Sequence, residues 1–161
     1  MKTLLIAAIS GVFGAVAVSV SFAAHWPTWV MFIAWVSYYI FGKTWKSSAI
    51  SFIQILLGIF MGVLIQVTAA LFRNLIGNLS LPVSVFFFVG SMPYIMKLKT
   101  FNNIPVWYLG LIVFFGVHPT IAAVALMELL IPIAAGFILA GLNDAAVEKV
   151  MLYKMPRSRA T

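Results

Sequence analysis

VALMELLIPIAAGFILAG, residues 124–141, is an apolar run holding a single carboxylate, Glu128, with Pro132 four residues later. Read alone, the run belongs to a long helix that puts Glu128 about a third of the way into the hydrocarbon, where an unpaired carboxylate is costly and tends to take up a proton. With the helix start near Ala125, Glu128 falls in the first turn, where its charge suits the positive helix end. The rest of the chain decides between the two.

Of the 161 residues, 64% are hydrophobic and 8% charged, more apolar side chain than a soluble globule covers with polar surface. The composition is that of an all-α integral membrane protein. There are no cysteines, which excludes disulfides and thiolate metal sites, and His25 and His118 are too far apart for a local zinc motif. No metal or cofactor is expected. The net charge of +7 would suggest nucleic acid in a soluble chain. Here the basic residues flank apolar segments, where they report orientation, and nucleic acid is not expected as a partner.

The N-terminal MKTLLIAAISGVFGAVAVSVSFAAHW resembles a signal peptide in its Lys2 and its small residues Ser21, Ala23 and Ala24. Its apolar stretch exceeds the usual ~7 to 15 residues and is read as a retained span. Short polar breaks divide the chain into six transmembrane helices, at about 3–24, 26–41, 48–72, 81–96, 104–122 and 125–142. A spanning helix needs ~20 residues, so the second and fourth are short. The runs do not alternate as barrel strands do.

Alternate loops hold Lys2, Lys43, Lys46, Lys97, Lys99, Lys149, Lys154, Arg157 and Arg159, against Arg73 alone on the other side. The positive-inside bias then puts both termini in the cytoplasm, which six spans satisfy. The basic tail at 145–161 enforces orientation and offers attraction to anionic membrane lipids.

Shifting the sequence by 78 residues sets Pro27 and Trp29 on Pro105 and Trp107, Gly58 on Gly136, Gly62 on Ala140 and Leu64 on Leu142. The first helices of the two halves do not align. Three spans per half make the halves, about 1–77 and 78–150 of one transmembrane domain, inverted repeats, an arrangement that recurs in transporters with sites near the midplane. Trp29 and Trp107 become interfacial anchors at opposite faces. The offset maps the turn at 43–47 onto 121–125, which starts the last helix near Ala125 and leaves GVHPT in the last turns of the fifth, bent at Pro119.

At FFGVHPTIAA and LLIPIAAGFILAGL, in Gly116, Thr120 and Ala122, then Pro132, Gly136 and Gly141, the chain resembles the YcdZ-like family of small bacterial inner-membrane proteins of unknown function. Trp29, Phe32 and Tyr39 in the second span add to the likeness. The resemblance implies a bacterial inner-membrane location and a short loop before the final Pro-containing helix, at 124–128. Here VALM stands where that loop is polar.

Three acids in all, Glu128, Asp144 and Glu148, with no Gly-rich phosphate loop or nucleophile elbow, leave no catalytic constellation. No enzyme activity is expected. Gln54 and Gln66, twelve residues apart on the third span, mark one helical stripe that Ser91 and Tyr94 on the fourth could face. They form either a hydrogen-bonding path for a small polar solute or interhelical glue. Gly58, Gly62, Gly136 and Ala140 are small-residue packing positions. His25, Arg73, His118 and Glu128 map to the outer side as a vestibule in which a histidine senses external pH. The expected function is a small channel or transporter for a small polar solute, with a path between the inverted halves and assembly as a homo-oligomer. The alternative is a non-transporting membrane scaffold.

Overall fold

Proline, glycine and one capping box punctuate an otherwise continuous apolar chain. In the computed structural model, which describes residues 2–152, all regular structure among the described residues is helical. Helix α1 spans Lys2–Ala23 and α2 Thr28–Phe41; α2 starts after Pro27 and stops at Gly42, whose φ of 120° suits glycine. Thr44 and Ser47 form a reciprocal capping box that opens α3, Trp45–Ile76. At Gly77, with φ of 57°, the chain folds back through a 3-10 turn (Gly77–Leu79) into α4, Ser80–Gly90, and a single-turn α5, Met92–Ile95. Helix α6, Ile104–Val117, has Pro105 in its first turn, and α7, Ala123–Leu152, carries Pro132 inside it. Lys154, Arg157 and Arg159 of the basic tail lie outside the described residues.

Three helical stretches are long and apolar enough to cross a membrane: Lys2–Ala23, Trp45–Ile95 with its fold-back, and Ala123–Leu152. The expected division into six spans is not what the helix lengths give. At 1.5 Å per residue, the 14-residue α2 and α6 reach ~21 Å, short of a ~30 Å hydrocarbon layer. The 32-residue α3 and 30-residue α7 exceed it.

Helix α6 does not continue through GVHPT. The proline Cδ disfavours the right-handed helical region for the residue before it. His118 instead adopts φ 52°, ψ 51°, ending α6 at Val117, and α7 then starts at Ala123. The turn is thus 118–122, neither 121–125 nor 124–128. Glu128 lies in the second turn of α7 and is exposed.

Each short helix lies along a long one. Asn103 N–H donates to Gln54 Oε1 at 3.0 Å, Gly58 meets Trp107 and Gly110, and Gly62 meets Phe114, so α3 and α6 run parallel. Gly136 meets Met31 and Ala34, and Gly141 meets Tyr38, so α7 and α2 also run parallel. Helix α4 returns antiparallel beside α3, and α1 packs antiparallel on α7, with Lys2 Nζ donating to the Met151 carbonyl at 3.2 Å. Two groups result, α3–α4–α6 and α7–α1–α2. An apolar cluster joins them, with Ile55, Ile59, Val113 and Phe114 from one and Val30, Ala34, Ile133 and Phe137 from the other. The ends of the bundle are named here by Lys2 and by Arg73.

The helix starts repeat with two spacings. Trp45 and Ala123 lie 78 residues apart, but Thr28 and Ile104 lie 76 apart. The alignment of Pro27 and Trp29 with Pro105 and Trp107 is therefore two residues out of register for α2 and α6, because the turn at 118–122 is longer than the turn at 42–44. Trp107 is 8% exposed and donates Nε1–H to the Phe101 carbonyl at 3.0 Å, so it is a packed residue rather than an interfacial anchor. Trp29 is partly exposed at the Arg73 end, and Trp45 stands exposed at the Lys2 end.

Candidate functional site

Helical spacing predicts that Gln54 and Gln66 share a face, yet their surroundings differ. Gln54 is 2% exposed, and its side-chain oxygen accepts from Asn103 N–H, a backbone donor left over at the start of α6. That contact fixes the entry into α6. Gln66 is exposed and borders a cavity of about 410 Å³. Ser91 donates to the Phe88 carbonyl at 2.6 Å, and Tyr94 is 70% exposed with Lys97 Nζ 5.5 Å from its ring centroid. The expected four-residue stripe is not assembled: neither Ser91 nor Tyr94 lines the cavity at Gln66.

The cavity at the Arg73 end draws Gln66, Ala69, Ala70 and Arg73 from α3, Gly77 and Asn78 from the fold-back, Ser80 and Leu81 from α4, and Phe115 and His118 from the end of α6. Of the four residues assigned to an outer vestibule, Arg73 and His118 meet here. His25 and Glu128 are exposed elsewhere, and no ion pair joins His118 to Glu128 among the described residues. His25 and His118 are the two non-glycine residues with positive φ among the described residues, at 56° and 52°.

A second cavity, about 520 Å³, opens at the Lys2 end among α1, α2 and α7, lined by Ser10, Tyr39, Lys43, Asn143, Asp144 and apolar neighbours. Lys43 Nζ pairs with Asp144 Oδ1 at 3.0 Å and lies 4.7 Å from the Tyr39 ring centroid. Tyr38 donates its hydroxyl to Asp144 Oδ2 at 3.3 Å, and Asn143 Nδ2 donates to Tyr39 OH at 2.8 Å. Asn143 Oδ1 is buried without a partner among the described residues. This cluster is not legible in the sequence, because Asn143 and Asp144 lie past the last apolar run and Asp144 meets Lys43 only through the fold, 101 residues away.

The two cavities occupy matching positions. Shifted by the 78-residue spacing of α3 and α7, Gln66, Ala69 and Arg73 become Asp144, Val147 and Met151; shifted by the 76-residue spacing of α6 and α2, Phe115 becomes Tyr39. Between them the apolar cluster is closed by small residues. A Cβ on Gly58 would overlap the Trp107 carbonyl and crowd Gly110, and one on Gly136 would overlap the Met31 carbonyl and crowd Ala34. Gly62 lies against the Phe114 ring, and Ala140 is fully buried. Gly110 completes the closest approach and was not singled out from the sequence, since one glycine in YLGLIV forms no pair on its own helix.

Long apolar helical stretches around an apolar centre make the described residues an all-helical protein of membrane type. A family model matches residues 6–148, and the chain belongs to that family, described as a protein of unknown function, DUF1097. No curated protein and no solved structure matches the chain.

Proposed function

We propose that the protein is a six-pass transporter of a small polar solute in the bacterial inner membrane, built from two inverted halves. The observation that carries this is the pair of cavities at opposite ends, lined from positions related by the same spacings that relate the helices. Paired sites of that kind suit a molecule that exposes one mouth at a time. The apolar packing between the mouths favours a gated transporter over a standing pore. The short α2, α4 and α6 complete their passes with interfacial flanks and local thinning of the bilayer. Lys2, Lys43, Lys46 and Lys149 belong to one end and Arg73 to the other, which favours the Lys2 end as cytoplasmic, with both termini inside. The exposed apolar faces are met by lipid and by further copies of the chain in a homo-oligomer.

Reconstitution into liposomes tests the proposal through solvent-corrected flux of small amides, weak acids and ions. Uptake above empty vesicles, reduced by Gln66→Leu in a protein that still assembles, is the expected result. Flux equal to that of empty vesicles for the whole panel would count against transport. The closely packed apolar centre and the structural use of Gln54 favour a second function, a non-transporting scaffold, which predicts co-purification of another membrane protein and indifference to Gln66→Leu.

A further inference from the structure

We infer that the cavity at the Arg73 end is a binding site for an oxyanion, a carboxylate or phosphate group. Its polar lining is rich in donors. Arg73 presents a guanidinium, Gln66 and Asn78 present carboxamides, His118 an imidazole and Ser80 a hydroxyl, and no carboxylate lines the space. The three acids of the chain lie elsewhere: Glu128 is outside the lining, Asp144 is paired with Lys43, and Glu148 follows Asp144 on the last turns of α7. Arg73 therefore has no acidic partner among the described residues.

Two further features bear on a ligand. Ser80, only 6% exposed, lines the cavity at the start of α4, where its carbonyl accepts from Ser84. His118 holds a left-handed backbone that glycine or asparagine would take with less strain, and in that conformation it stands at the cavity. A guanidinium with convergent amide and hydroxyl donors matches the planar oxygens of a carboxylate or the oxygens of a phosphate. The competing role for Arg73 and His118 is to offset the negative ends of α3 and α6, both of which finish here. That role moves stability but not affinity.

The inference deepens the transport proposal by giving the solute a charge, and it is tested by binding so that the two can fail separately. Acetate, inorganic phosphate and the neutral isostere acetamide are titrated calorimetrically into the purified full chain in a maltoside detergent at constant ionic strength. Acetate or phosphate should bind at least roughly tenfold tighter than acetamide, and Arg73→Gln should lose about that factor. His118→Gly should weaken binding while Tm stays level or rises, because glycine relieves the backbone. Lys149→Gln, remote from the cavity, should bind as the parent does.

A headgroup source is distinguished by adding phosphatidylglycerol. If free anions do not bind but the lipid raises Tm in the parent and not in Arg73→Gln, the site is an oxyanion site occupied by lipid phosphate. Equal binding of acetamide and acetate, or substitutions that lower Tm with affinity unchanged, would overturn the inference. If Arg73→Gln fails to fold, the affinity and Tm of His118→Gly still decide. Flux of neutral amides through a protein that binds no oxyanion would remove this inference and leave transport standing. Oxyanion binding without flux would do the reverse.

Discussion

A methyl group at Gly58 has nowhere to go, because the Trp107 carbonyl and the Gly110 backbone already occupy its place. Overpacking against backbone rather than a pliable side chain forces the helices apart, at a cost of about 1–3 kcal/mol or more. Gly58→Ala and Gly110→Ala should each lower the unfolding midpoint in detergent, while Gly14→Ala, with open space around it, should leave it within error. Gln54→Leu should cost about 1 kcal/mol by leaving the part-buried Asn103 N–H without its partner. The measurement is the same, and an unchanged midpoint would mean that Gln54 does not hold the entry into α6. The sequence exposed Gly58 through its spacing from Gly62 and Gly136, but not Gly110, whose meaning lies wholly in the helix it touches. Glu128 shows the opposite case: the spacing put it in the first turn of the last helix and in one vestibule with His118, whereas it lies in the second turn and away from the cavity that His118 lines.

At the scale of elements, helix starts were easier to read than helix ends. Thr44 and Ser47, Pro27, and Pro105 all act locally, so α2, α3 and α6 begin where short-range chemistry puts them. The end of α6 was missed because a single offset was carried across a turn of different length, overriding the local effect of Pro119 on His118. The short loop between α1 and α2 offers a direct check. Ser21 Oγ and Thr28 Oγ1 lie 2.6 Å apart, and the chain has no native cysteine. Ser21→Cys combined with Thr28→Cys should oxidise to an intramolecular disulfide, read as a thiol-blocked band that labels again after reduction. Free thiols under oxidising conditions would mean that the end of α1 does not sit on the start of α2.

For the whole molecule, the absence of cysteine makes sidedness measurable without background. Thr120→Cys, in the turn at the Arg73 end, should react with an impermeant maleimide on intact cells, and Lys46→Cys only after permeabilisation. The reverse pattern would invert the proposed orientation. Composition was enough to read an all-helical membrane-type chain. The grouping of its helices was not legible, because nothing in a series of apolar helices says which of the others each one packs on. Helix α3 lies beside α6, and α7 beside α2. This bears on how the protein is made. The group α3–α4–α6 is one contiguous segment, complete once Val117 has left the ribosome, whereas α1 and α2, synthesised first, touch α3 only lightly, through α2, and meet their main partner when α7 emerges. The earliest helices are thus the last to be closed, and a nascent chain stalled near residue 120 would hold a finished middle with its first two helices still open to the bilayer.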